Sequence, residues 1–136
     1  MLGRICLTLS ALAQLLGPFI ADFNETHVLN PRWPPHARFH NGQTMSMGVC
    51  LALATLYYTH RPVVGAEATD SILTATIFGS LYWVTGLSAI LYPGSKGMDP
   101  EFGEGFPQFR LFVGLLGLTW TGWWFETARL ASAVRK

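Results

Sequence analysis

The segment Asp22–Gln43, DFNETHVLNPRWPPHARFHNGQ, decides how this chain folds. It gathers three of the four histidines, two of the nine Lys/Arg and two of the eight acids between two hydrocarbon-like stretches. Pro31, Pro34 and Pro35 forbid one continuous helix through it, because proline lacks an amide hydrogen and holds the preceding residue in extended backbone. The segment therefore reads as a loop between two helices. Its proton-active side chains sit where an apolar bundle would open to water, which is how a small intramembrane enzyme would look.

Outward from this loop the charges are separated by long blank intervals. Uncharged runs of 17, 19, 25 and 15 residues lie between Arg4 and Asp22, His40 and His60, Asp70 and Lys96, and Arg110 and Glu126. Crossing a bilayer core of about 30 Å takes roughly 20 helical residues. The pattern predicts an all-α fold, an integral membrane four-helix bundle in a single domain over residues 1–136. Its spans fall at about Leu2–Phe23, Ala37–Thr59, Ala68–Tyr92 and Gln108–Leu130. Trp33, Tyr57, Tyr58, Tyr92, Trp123 and Trp124 lie near the ends, as interfacial aromatics do.

A soluble four-helix bundle is the competing architecture, but its helices would carry a charged outward face at the 3.6 period. A cleaved signal peptide ending near Ala21 would leave three spans. Arg4, Arg61, Arg129, Arg135 and Lys136 on one side against Arg32, Arg38, Lys96 and Arg110 on the other favour cytosolic termini, which places the first and third loops together on the far side. The endoplasmic reticulum is the expected membrane.

Pro35 suits the first turn of the second helix. From there His36, His40, Gln43 and Met47 recur at spacings of four, three and four and share one helical face. The short loop makes the end of the first span and the start of the second neighbours. Asp22, Glu25 and His27 are thereby expected to approach His36, Arg38 and His40. Ionisable residues at this depth are a functional hypothesis by default. Asp22, Glu25, His27, His36 and His40 are the expected catalytic set, with Asn24, Arg32, Trp33, Arg38, Gln43, Tyr82 and Trp83 expected around the substrate. The structural alternative is a loop that binds headgroups, with Asp22 paired to Arg32 or Arg38.

Other features are plainer. Cys6 and Cys50 are expected to be buried and inert. Glu126 and Arg129, three residues apart, suggest a local ion pair, and Asp70 a helix-start residue. Tyr82, Trp83, Trp120 and Trp123 are expected inside the bundle, and Gly79, Gly86, Gly114 and Gly117 at close helix contacts. Asn24-Glu25-Thr26 matches a glycosylation acceptor but lies too near the bilayer surface to serve as one. The Gly/Pro-rich third loop, PGSKGMDPEFGEGFP, is long enough to cover the first loop and offers Glu101 and Glu104 as further carboxylates.

A two-histidine metal site at His36 and His40, completed by Asp22 or His27, is conceivable, but no metal or other cofactor is expected. No nucleophile elbow, P-loop or dinucleotide fingerprint occurs, and a net charge of +1 does not point to nucleic acid. Metal-free acid–base chemistry on a lipophilic substrate remains. Epoxide opening fits, with Asp22 or Glu25 as base, a histidine or Arg38 as electrophilic partner, and Asn24 or Gln43 orienting water. Sterol-type isomerisation needs similar groups, and non-catalytic lipid binding needs none of them.

At DFNETHVLNPRWPPHARFH the chain resembles small four-span membrane proteins of fungal polyketide and meroterpenoid clusters, among them the epoxide hydrolases of aurovertin-type and citreoviridin-type polyether formation. The specific part is Asp22–His40; the other spans match in hydropathy and length. The resemblance implies hydrolysis or cyclisation of polyene epoxides made by a partner flavin monooxygenase, with acid and base drawn from Asp22, His27, His36 and His40. Some such proteins carry an epoxidase label, which would require an oxidant these residues do not supply. In size and span number the chain is also loosely similar to the emopamil-binding class of sterol isomerases.

Overall fold

The computed structural model describes residues 1–134 of the chain, so the expected charges of Arg135 and Lys136 lie outside it. The described residues form helices α1 (Leu2–Asp22), α2 (Pro35–His60), α3 (Gly65–Ser88) and α4 (Gln108–Val134), with a 3₁₀ turn at Ala89–Leu91 after α3, and no strand. Proline begins α2, where its missing amide hydrogen costs nothing. The helices surround one another in chain order: α1 packs on α2 and α4, and α3 on the same two. Asp70 lies inside α3, one turn beyond its start, with Val64 in the cap position and no capping side chain.

Polar and apolar side chains share the interior, while large apolar residues cover much of the outside of the helices. Leu9, Leu12, Leu16, Phe19 and Ile20 of α1 point outward, as do Leu111, Val113, Trp120 and Trp124 of α4. Ser10, Gln14, Thr55, Thr76, Ser80 and Thr119 are buried. The buried hydroxyls of Thr55, Thr76, Ser80 and Thr119 each donate to the carbonyl one turn back, which satisfies them without a charged partner. Ser10 Oγ also bonds Thr119 Oγ1 at 2.6 Å and receives Trp83 Nε1 at 3.3 Å. Helices α1 and Gly65–Leu91 are each long and apolar enough to cross a membrane.

Close helix approaches fall at glycines, though not all at the expected ones. Gly79 and Gly86 do face neighbours, Thr119 and Phe112 respectively, whereas Gly114 and Gly117 face open space. The tightest crossing joins α1 to α4 through Gly3 and Gly122: a Cβ on Gly3 would lie 2.5 Å from the Gly122 carbonyl oxygen. Beside it the buried Glu126 accepts from Arg129 Nη2 at 2.7 Å, as expected, and also from Arg4 Nε at 2.9 Å. Pro18, inside α1, cannot donate to the Gln14 carbonyl four residues back. Gly48 of α2 fits against that free carbonyl. Cys6 is buried, but Cys50 is exposed: it lies five residues beyond Met45 and so turns off the inward face. Trp83 is buried, Tyr82 and Trp123 are half-buried, and Trp120 is exposed.

Gly3→Ala should lower stability by about 1–3 kcal/mol through overpacking, while Gly114→Ala should leave it unchanged or raise it by up to about 1 kcal/mol. Thermal unfolding of both purified variants checks this; equal midpoints would contradict the crossing described.

Candidate active site between the first and third loops

The first loop begins with a helix cap. Asn24 Nδ2 donates to the carbonyls of Ala21 at 2.7 Å and Ile20 at 3.4 Å, closing the end of α1. Its Oδ1 accepts from the Thr26 amide at 2.8 Å and the Thr26 hydroxyl at 2.6 Å. Backbone bonds from His27 and Leu29 to the Asn24 carbonyl, and from Val28 to that of Asp22, coil the loop back over the helix end. This brings His27 beside Asp22. Thr26 Oγ1 lies 2.7 Å from His27 Nδ1, and Asp22 Oδ1 lies 3.7 Å from His27 Nε2. The other carboxylate oxygen of Asp22 accepts from Asn41 Nδ2 of α2 at 3.0 Å.

The third loop lies on the first. Asn30 Nδ2 donates to Glu101 Oε1 at 3.0 Å, Arg32 pairs with Glu101 Oε2, and Trp33 Nε1 donates to Asp99 Oδ2 at 3.0 Å. The Arg32 guanidinium, and then the Asn30 amide, hold the Glu101 carboxyl below its ordinary range, and Glu101 in turn raises Arg32. Inside the third loop Gly97 passes so close to Gly105 and Phe106 that no Cβ fits there, and its carbonyl accepts from Gln108. Between the loops lies a pocket of about 310 Å³, walled by Thr26, His27, Trp33, Lys96, Asp99 and Phe102 among others. The His27 ring meets Trp33 edge to face at 5.2 Å between centroids. A second, more open pocket of about 510 Å³ shares Lys96, Gly97 and Met98 with it and includes Glu104.

The expected residues thus divide into groups. Asp22, Asn24 and His27 come together, and Arg32 and Trp33 bind the third loop. His36 and His40 do not join them: their Nε2 atoms lie 3.0 Å apart, His40 Nδ1 faces Gln43 Oε1 at 3.2 Å, and all three side chains are exposed on the outer face of α2. Asp22 forms no ion pair with Arg32 or Arg38. Arg38 Nη2 donates to the Asn30 carbonyl at 2.6 Å, and Glu25 is exposed. Trp83 lies in the bundle core beside Ser10, and the Tyr82 ring packs near Gly48. Among the described residues no three His, Cys, Asp or Glu side chains are grouped to hold a metal ion. Asn41, Thr26, Asn30, Asp99 and Lys96 were not anticipated. Asn41 was findable, because it precedes the buried Met45, Gly48, Ala52, Thr55 and Thr59 at helical spacing.

A carboxylate beside an imidazole that lines a pocket can take up and return a proton. The described residues form an all-helical bundle whose loop end brings Asp22 and His27 together. The chain belongs to the family of unknown function DUF6640, which matches residues 6–135. No curated protein and no solved structure matches it.

Glu101 has a depressed pKa in the folded state, so its contribution to loop docking is complete above its ordinary value of 4.5 and is lost as pH falls through the lower folded value. A fluorotryptophan label should report this release at Trp33 on acidification, identified by its absence in Trp33→Phe. Glu101→Gln should show the released signal at neutral pH; an unchanged signal would contradict docking through Glu101.

Proposed function

We propose that this protein is a four-span membrane enzyme, resident in the endoplasmic reticulum, that opens epoxides on a lipophilic polyketide by acid–base chemistry. One observation carries the reading: His27, which lines the pocket, holds its Nε2 3.7 Å from Asp22 Oδ1. That gap is too long for a direct hydrogen bond, and a water in the pocket beside His27 would donate to Nε2. The reaction then balances simply. The water oxygen bonds an epoxide carbon, the carbon–oxygen bond of the ring breaks, and the water proton passes to His27 Nε2 while Asp22 stabilises the imidazolium. The Lys96 ammonium, in the same pocket wall, neutralises or protonates the departing oxygen. An internal hydroxyl in place of water gives a cyclic ether by the same proton transfers. A flavin monooxygenase acting earlier would supply the epoxide.

The membrane reading is supported by the outward aliphatic residues, the hydroxyl-lined interior and the glycine crossings. Exposed Tyr57 and Tyr92 lie toward helix ends, where interfacial aromatics are favoured. The 26 residues of α2 and 27 of α4 are long enough to cross with α1 and α3. Alkaline carbonate should leave the protein in the membrane pellet. A tag in the 61–64 turn should be open to protease from the cytosol and one after Pro93 protected; the reverse pattern would invert the orientation.

The chemistry is tested with a polyene bis-epoxide in membranes containing the protein, using water enriched in heavy oxygen. The wild type should place label in a diol, or form cyclic ether. Asp22→Asn and His27→Ala should each lower turnover by about 10²-fold or more, whereas His36→Ala and His40→Ala should stay near wild type. Absence of turnover by well-folded wild type would sink the epoxide reading.

A further inference from the structure

The hydrogen bonds around His27 have only one consistent set of directions. Asn24 Nδ2 faces two backbone carbonyls, at 2.7 and 3.4 Å, and carbonyls only accept. This fixes the orientation of the Asn24 amide, so Oδ1 is the atom turned to Thr26. A carbonyl-type oxygen cannot donate, so the 2.6 Å contact uses the single hydroxyl hydrogen of Thr26. Only lone pairs of Thr26 Oγ1 are left for His27 Nδ1 at 2.7 Å. The hydrogen in that bond must come from the ring.

We propose that Asn24 and Thr26 are positioning residues that hold neutral His27 with its proton on Nδ1, leaving Nε2 bare toward Asp22. The inference rests on the acid–base reading of this site and deepens it. A neutral imidazole has one donor and one acceptor nitrogen, and the partner of one sets the state of the other. Without the relay nothing would hold the proton on Nδ1, and Nε2–H could turn to donate to the Asp22 carboxylate in a charge-assisted bond. His27 would then present no bare nitrogen toward Asp22. At the 3.7 Å separation that bond is not made, and the short Nδ1–H bond to Thr26 selects the other tautomer. It also accounts for the Asn24-Glu25-Thr26 pattern, in which both end side chains are committed to internal bonds.

Nitrogen-15 and carbon-13 spectra of histidine-labelled full-length protein in micelles decide the matter, taken at about pH 8.5, where an ordinary imidazole is neutral. His27→Gln identifies the resonance. The wild type and Thr26→Ser should show His27 protonated at Nδ1; Thr26→Val should show it protonated at Nε2. In epoxide turnover Thr26→Val should lose about tenfold or more in kcat at unchanged KM, with Thr26→Ser restoring it. A wild-type ring protonated at Nε2, or a Thr26→Val ring still protonated at Nδ1, overturns the relay. The spectra read the relay without any substrate, so a failure of epoxide turnover would count against the reaction and leave the tautomer measurement standing on its own.

Discussion

Asn30 is the residue on which the loop end of this molecule depends. It is 1% exposed, and its polar groups tie its own turn to the third loop and to α2. Its side-chain nitrogen donates to Glu101, its side-chain oxygen accepts from the Arg32 amide, and its carbonyl accepts from Arg38 of α2. Its backbone amide closes a turn to the His27 carbonyl. A buried amide left unpaired costs about 1–3 kcal/mol. The first loop, the third loop and the start of α2 must therefore keep one mutual arrangement for Asn30 to be satisfied. The pocket between the loops exists because of that arrangement, and His27 stands in its wall.

The bundle below meets the same requirement differently. The buried hydroxyls of Thr55, Thr76, Ser80 and Thr119 donate to their own helices, and the helices meet closely at Gly3, Gly122, Gly48 and Gly79, where a side chain on the glycine would not fit freely. Polar satisfaction inside each helix leaves the outer faces free to be aliphatic. The ionised groups are moved to the two ends: Asp22 and the loop acids at one, Glu126 with Arg4 and Arg129 at the other. Between those ends the packing asks for small residues and shape, not charge.

This division explains what the sequence could disclose. Helix number and limits were legible, because blank intervals and proline clusters are one-dimensional signals: α1 ends at Asp22, one residue before Phe23, α2 begins two residues before Ala37, and α3 three before Ala68. The neighbourhood of the first and third loops followed from the alternation of short connections. What the sequence left open was rotation about the helix axis. His36, His40 and Gln43 do share a face of α2, but periodicity alone does not say that it is the outer one. The decisive mark was the small and hydroxylic run Gly48, Ala52, Thr55 and Thr59 farther along, which assigns Asn41 to the inside. Gly114 and Gly117 failed for the same reason, since a glycine marks a crossing only on an inward face. Lys96 and Asp99 lie in a loop whose course is set by contacts distant in sequence, and no local pattern carries that information.

The position of the site also bears on the chemistry proposed for it. Opening an epoxide with water brings together an apolar substrate, which partitions into hydrocarbon, and a reactant that hydrocarbon excludes. A site in the middle of the bundle would lack water; one far out on a soluble domain would lack the substrate. The end of α1 lies between the two, with Phe23 and Leu29 exposed beside the half-buried Asp22 and His27. There Asn41 holds one oxygen of the Asp22 carboxylate, and the other faces the imidazole of His27. Asn24 serves two ends there: its amide nitrogen closes the end of α1, and its oxygen takes the Thr26 hydroxyl hydrogen, which leaves that hydroxyl to accept from the His27 ring. A loop that only joined two helices would need the first of these and not the second.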